Sequence, residues 1–163
     1  VKIQSARFGI IEINDQSIIS FDGGLPGLEG LEKYAIIRCD QTDPIQWLQS
    51  VDNQDVSIPI INPFLLKPDY EIEIDDSELD LIQTHSEEDL VVLCIMVIPD
   101  DLTKMTINLM APLLVNIRKM IGAQIMMDYI TLPISEPAFD ALIEYYKKEG
   151  EVAADAGSVE KSK

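Results

Sequence analysis

Short β-branched runs recur along the whole chain, each closed by a turn signal, and this pattern leaves little room for long helices. The runs are Ile3–Ala6, Gly9–Ile13, Ser17–Phe21, Tyr34–Arg38, Ile45–Val51, Val56–Ile61, Tyr70–Ile74, Leu90–Ile98, Thr106–Met110, Leu113–Ile117 and Gln124–Asp128. Ile and Val together number 33 against 16 Leu, a balance that suits pleated, half-buried surfaces. At 163 residues the chain is long enough for one domain with a sizeable core, and the spacing of the runs predicts an all-β sandwich or barrel.

Helix is expected in three places. A short turn follows Asp76, with Leu79 and Ile82 on one side, and a second starts at Ser86, whose hydroxyl is placed to cap while Asp89 reaches back. Ser135-Glu136-Pro137 then offers a cap, an early acid and an early proline. Phe139, Leu142, Ile143 and Tyr146 follow at helical spacing, Glu144 and Lys148 pair at i,i+4, and Gly150 stops the helix. The expected organisation is a β domain over 1–134, an amphipathic helix over 135–150 and a flexible polar tail over 151–163.

Twenty-nine acidic residues against twelve basic ones leave a net charge of −17. Such a chain is repelled by nucleic acid and by anionic membranes, so neither is expected as a direct partner; the acid either serves solubility or attracts a basic partner. Twelve Asp or Glu and no Lys or Arg fall between Asp69 and Asp101. In Tyr70-Glu71-Ile72-Glu73-Ile74 acids alternate with apolar residues, so a strand there buries Tyr70, Ile72 and Ile74 and presents Glu71 and Glu73. No glycine interrupts this acidic block, so it lacks the turn of a calcium loop, and no metal is expected. The longest apolar run, Leu90–Ile98, is less than half of a membrane-spanning helix, and the first twenty residues do not read as a signal peptide. Only two cysteines, Cys39 and Cys94, are present, each within an apolar segment, as expected of reduced thiols in the cytoplasm.

No catalytic constellation emerges, and neither an enzyme nor a cofactor is expected. The lone His85 lies in a polar turn, and no base adjoins either cysteine in sequence. Gly24-x-x-Gly27-x-x-Gly30 lacks the G-x-G start and the lysine of a phosphate cradle and reads as a turn. More informative is Ser57–Pro68, strongly apolar and interrupted by Pro59, Pro63 and Pro68. It cannot be an ordinary central strand; it is either an edge that forms a groove for a partner or a barrel corner filled by Phe64 and Leu65. Five of six methionines fall between Met105 and Met127, suited to an adaptable surface or to filling gaps in a core.

Several uncommon strings carry a family resemblance. Trp47-Leu48-Gln49-Ser50-Val51-Asp52, Ile61-Asn62-Pro63-Phe64 and Pro68-Asp69-Tyr70-Glu71 resemble the flagellar assembly factor family FliW. Phe8-Gly9, Leu25-Pro26-Gly27-Leu28-Glu29, Ser86-Glu87-Glu88-Asp89, Met105-Thr106-x-Asn108-Leu109-x-Ala111-Pro112, Asn116 and Gly122-x-Gln124 extend the likeness over about residues 3–128. The resemblance implies a mainly β fold: a small antiparallel β-barrel-like domain, to which the residues above add one C-terminal α-helix and short helical turns. It also implies a cytoplasmic, non-enzymatic partner switch. Such a factor binds flagellin before export and, when free, binds the RNA-binding translational regulator CsrA, lifting its repression of flagellin synthesis.

On that reading Asp69, Glu71, Glu73, Asp75 and Asp76 are the expected face toward basic CsrA, and Asn62, Pro63 and Phe64 the expected apolar edge for flagellin. Trp47, Gln49, Ser50 and Asp52 are further candidates for contact with either partner, with Trp47 alternatively a core residue. Two rivals remain open: a generic acidic export chaperone without a regulatory target, and a hydrolase pairing Cys39 or Cys94 with His85.

Overall fold

The computed structural model describes residues 1–127 and 132–161, with side chains placed up to Glu151. Thirteen strands and two α-helices follow one another: β1 (Lys2–Ser5), β2 (Gly9–Glu12), β3 (Ile18–Phe21), β4 (Gly24–Leu25), β5 (Leu28–Glu29), β6 (Lys33–Arg38), β7 (Gln46–Ser50), β8 (Ser57–Ile61), α1 (Asp76–Leu81), β9 (Leu90–Val97), β10 (Thr106–Ile107), β11 (Leu113–Asn116), β12 (Ile121–Gln124), β13 (Glu136–Pro137) and α2 (Phe139–Lys161). Strands β3, β6, β7, β8, β9, β11 and β12 pair in that order, and β12 returns to β3, closing a seven-stranded barrel. The expected mainly β, barrel-like domain with short helical turns and a C-terminal helix is therefore the fold. All the ring's pairings are antiparallel except the closing one, β12 with β3, which is parallel. The hairpins β1–β2 and β4–β5 stand apart, and β10 and β13 extend from the far end of β9.

Several walls are apolar on both faces. Ile19, Phe21, Tyr34, Leu48, Ile60, Leu93, Leu113 and Val115 come from strands all around the ring and form one buried cluster, which places them inside the barrel. Their neighbours Trp47, Ile61, Cys94 and Leu114 point outward, into a second cluster. There they are covered by Leu66, Tyr70, Ile82, Met105, Leu109 and Met127 from the connecting segments and by Ala138 and Leu142 from the start of the helix. Burial on both sides explains why β9 lies in the longest unbroken apolar run of the chain. Met105 and Met127, 4% and 0% exposed, fill that outer layer, the core use of methionine.

Local chemistry moved several expected boundaries. Tyr70–Ile74 forms no ladder; the alternation survives without it, with Tyr70 buried, Ile72 and Ile74 half-buried, and Glu71 and Glu73 exposed. Tyr70 is held instead by its hydroxyl, which donates to the Leu109 carbonyl at 2.6 Å. β10 stops at Ile107 because Asn108 Oδ1 accepts from the amides of Met110 and Ala111, turning the chain. β12 comes earlier than the expected Gln124–Asp128, although Ile125 N and Met127 N still donate to Pro112 O and Met110 O; Asp128 lies outside the described residues. The turn at Glu87–Asp89 forms, but Ser86 supplies no side-chain cap. Its own amide donates to Thr84 Oγ1 at 3.1 Å.

The C-terminal helix starts at Phe139, not at Ser135. Pro137 disfavours helical geometry at Glu136, so these two residues extend and pair with β10, and Glu136 takes an ion pair from Lys67 at 2.9 Å. The helix buries Leu142, packs Phe139 and Tyr145 against the outer layer, and donates from Tyr146 Oη to Asp43 O at 2.7 Å, leaving Ile143 37% exposed. Glu144 pairs with Lys147 at i,i+3, 3.5 Å away, rather than with Lys148. The backbone continues in helix through Gly150 to Lys161. The side chains from Val152 onward, most of the expected tail, lie outside the described residues.

At the barrel's closing seam a Cβ on Gly122 would lie 2.5 Å from Phe21 Cε1. The Phe21 ring is 1% exposed and meets Tyr34 edge-on at 5.6 Å, so it has nowhere to go. Gly122→Ala is expected to destabilise the fold by about 1–3 kcal/mol, with part of the loss recovered in the Phe21→Leu, Gly122→Ala double variant. Urea unfolding of the single and double variants measures both.

Candidate partner-binding site

Between Ile61 and Leu90 the chain leaves the barrel wall, crosses over it and returns. The excursion begins with a proline-stabilised turn. Asn62 Oδ1 accepts from the Phe64 amide at 3.0 Å, Pro63 is buried at the first position of a 3-10 turn, and Leu66 is tucked into the outer core. The turn thereby presents Phe64 and Leu65, 38% and 39% exposed. The Phe64 ring lies 5.7 Å from that of Tyr70, the residue anchored to Leu109.

From Tyr70 the extended segment leads into α1, which starts on a reciprocal capping box: Asp75 Oδ1 accepts from Glu78 N at 2.8 Å, and Glu78 Oε1 accepts from Asp75 N at 3.1 Å. At the other end of α1, Asn116 Nδ2 donates to Ile82 O at 2.8 Å, tying the excursion back to the barrel through β11. His85, which follows, is paired with Asp80 at 3.0 Å.

Under this excursion lies a cavity of about 500 Å3. Phe64, Ile72, Ile74 and Leu79 form its outer wall, Leu90 and Val92 of β9 its floor, and His85, Ser86 and Glu87 its lip. Glu71, Glu73, Asp75 and Asp76 are exposed along the same segment, alternating with or following the isoleucines that line the cavity. The expected apolar edge and the expected acidic face thus lie on one excursion, with an aliphatic and aromatic hollow beneath it and exposed carboxylates along it. Of the candidates Phe64 lines the hollow, Asn62 and Pro63 precede Phe64 in the same turn, Glu71, Glu73 and Asp75 flank Ile72 and Ile74 in the chain, and Asp69 and Asp76 are exposed on the same excursion. The part missed in sequence is the floor, because Leu90 and Val92 are distant in the chain from Phe64.

The other candidates lie elsewhere. Trp47 is 5% exposed, with Nε1 donating to Thr42 Oγ1 at 3.0 Å, the Arg7 guanidinium 4.0 Å above its ring and Phe8 edge-on at 6.1 Å. Gln49 and Ser50, expected at a partner surface, are both 0% exposed. Gln49 accepts from Ser5 Oγ at 2.7 Å and donates to Ser50 O, fastening the β1–β2 hairpin to β7. Ser50 Oγ accepts from the amides of Asp52 and Asn53 and shapes the turn after β7. Both side chains are engaged within the fold and shielded from solvent, whereas Asp52 is exposed.

Among the carboxylates of the excursion, Asp75 is held in its charged form. The Ser77 hydroxyl and the Glu78 amide hold the Asp75 carboxyl below the ordinary aspartate value. A lowered folded value means that the cap stabilises α1 fully above the ordinary aspartate range and is lost as pH falls through the folded value. Carbon-detected NMR is expected to place the Asp75 midpoint below that of a free aspartate, and the Glu78 amide shift should follow the same curve.

Cys94 is buried, and burial pushes its thiol up to about 12. Cys39 is half-buried and donates to Gln41 Oε1 at 3.0 Å. Neither cysteine lines the cavity at His85. Iodoacetamide at neutral pH is expected to spare Cys94 in the native protein and to modify it at least a hundredfold faster in urea; mass spectrometry of the labelled peptides reads the difference, and fast native labelling would restore the thiol as a nucleophile. Among the described residues no three His, Cys, Asp or Glu side chains are placed to hold a metal ion, and no helix is long and apolar enough to cross a membrane.

Three comparisons bear on this geometry. The family described as FliW protein matches residues 2–138. The flagellar assembly factor FliW of Caldicellulosiruptor saccharolyticus is 39% identical over 140 residues, covering 86% of this chain and 91% of that protein. That of Thermoanaerobacter pseudethanolicus is 37% identical over 147 residues, covering 90% of this chain and 98% of its own. A crystal structure of the flagellar assembly factor FliW superposes with a TM-score of 0.80 at 29% identity, over 85% of this chain and 97% of the other.

Proposed function

This chain belongs to the FliW family of flagellar assembly factors, and from that membership we propose that it is a cytoplasmic, non-enzymatic switch between two protein partners, flagellin and CsrA. The observation that carries the reading is the joining of an apolar cavity and an acidic rim under one excursion. An apolar cavity receives the side chains of an amphipathic segment, the kind of ligand a flagellin terminus supplies. A carboxylate rim attracts a basic surface, the kind an RNA-binding regulator carries, and repels the RNA phosphates that compete for it.

A shared site also explains mutual exclusion. Flagellin seated over Phe64 covers the approach to Glu71 and Glu73, so the acidic face is free for CsrA only once flagellin has gone. The switch then needs no conformational change, only competition for one surface, with the outcome set by the two affinities and concentrations.

Titration of the protein into a CsrA–RNA complex, with and without flagellin and at two salt concentrations, tests this. RNA release that flagellin reverses is expected. Replacing Glu71, Glu73 and Asp76 by Lys should weaken release about tenfold or more at low salt and flatten its salt dependence. Phe64→Ala, at a partly exposed position, should stay folded and bind flagellin about tenfold to a hundredfold less tightly. Flagellin binding without RNA release under any condition would make the protein an export chaperone with an acid-rich surface.

A further inference from the structure

The barrel is filled at one end and open at the other. Inward positions alternate along the strands, and on two of them they step from polar to aliphatic to aromatic from the open end: Ser17, just before β3, then Ile19 and Phe21 on it, and Arg38, Ile36 and Tyr34 along β6. At the far end Phe21 and Tyr34 close the interior with an edge-on contact. At the near end the smaller aliphatic side chains leave a well of about 370 Å3. Its lining comes from β3, β6, β7, β9 and β11 and from residues beside the ring, Asn62 after β8 and Met120 before β12 among them, and its floor is closed by the buried Ile19, Leu93 and Val115.

The rim has an unusual composition for this chain. Four polar residues converge there, Ser17, Arg38, Gln46 and Asn62, and the lining contains no Asp or Glu although the chain has 29. Arg38 is the one charged residue of the lining. Among the described residues its guanidinium makes no ion pair, as is also true of several other cations, and no carboxylate shares the lining with it. Asn62 commits Oδ1 to the Phe64 amide, which leaves its NH2 group to donate.

We propose that this mouth binds a small amphipathic carboxylate, with its alkyl chain in the well and its head group on Arg38. A guanidinium matches a carboxylate with two parallel hydrogen bonds, and rim amides and a hydroxyl can complete its shell. The walls are aliphatic, so they suit a flexible alkyl chain rather than a flat ring. Barrel mouths are a common location for such ligands, and the well is of the right order of size. The two linings share no residue, although Asn62 at this rim also forms the turn that carries Phe64, and the proposal does not depend on the partner assignments.

Calorimetric titration of the full chain with octanoate, hexanoate and octan-1-ol tests the proposal, with methyl NMR locating the ligand. Octanoate is expected to bind one-to-one and to shift the methyl signals of Ile19 and Val115. Removing methylenes should weaken binding about fourfold each, and octan-1-ol should bind about tenfold more weakly than octanoate. Arg38→Gln, at an exposed position, should bind acid and alcohol alike, and Ile36→Phe, which narrows the well, should abolish binding of both. Absence of saturable octanoate binding at millimolar concentration overturns the proposal. So does octanoate binding that Arg38→Gln leaves unchanged, or shifts confined to Ile72, Ile74 and Leu79 around the other cavity.

Discussion

Closure of the ring by the two-residue contact of β12 with β3 is the constraint on which the remaining architecture rests. It pairs Ile121 with Ser20 and Gly122 with Phe21, in parallel, between strands that enter the ring from opposite ends of the sequence. Parallel pairing over two residues contributes little hydrogen bonding, so the seam is held by what packs across it. The Phe21 ring lies over the bare Cα of Gly122 and against Tyr34, so the same ring seals the seam and closes the filled end of the barrel. Without closure, β3 and β12 would be open edges and the interior cluster would be exposed along a slot.

A closed barrel with apolar residues on both faces of its wall needs cover on the outside, and the long excursion after β8 supplies it. Trp47, Ile61, Cys94 and Leu114 are outward-facing, yet none is more than 5% exposed. Leu66, Tyr70 and Ile82 lie over them as the chain crosses, pinned by the Tyr70–Leu109 and Asn116–Ile82 hydrogen bonds. Between these pins the segment packs less tightly, and Ile72, Ile74 and Leu79 stay half-buried above β9. The cavity is therefore where a covering layer is attached at its ends but not along its length. The charge follows from the same geometry, because alternate residues of a segment lying flat on a wall must face water, and here those residues are acids.

The β character, the turns and the helical C-terminus were legible because they rest on local periodicity and on Gly, Pro and Asn chemistry. The alternation at 70–74 reported burial correctly but not pairing, since an extended segment packed by its side chains leaves the same pattern as a strand in a ladder. Ser135 looked like a cap because its helix-start neighbours are real, but Pro137 constrains Glu136 as strongly as it favours a helix after itself. The burial of Gln49 and Ser50 was illegible for a different reason. A polar residue in a strand reads as surface, and the bond from Ser5, 44 residues away, makes Gln49 an internal tie between the hairpin and β7. The site was visible as two lists of residues, one apolar and one acidic. That they share one place depends on how the chain crosses β9, which no window of sequence contains.

Asn62 stands at the junction of the molecule's two openings. Its side chain forms the turn that presents Phe64 to the acid-rimmed cavity, and the same residue lines the rim of the barrel mouth, where the charge is reversed to a single arginine. In a chain with net charge −17 the mouth is set apart by what its lining leaves out, since Arg38 is its one charged residue and no Asp or Glu lines it. Carboxylates on the outer excursion are kept from Arg38 by the wall itself, since Ile61 and Pro63, buried on either side of Asn62, belong to the outer layer and the covering turn. The two openings therefore select for opposite charges at short range while the protein as a whole attracts cations at long range. On the proposed function the overall field guides a basic partner toward the excursion, whereas an anion reaches the mouth only against that field and must be held by contacts made inside it.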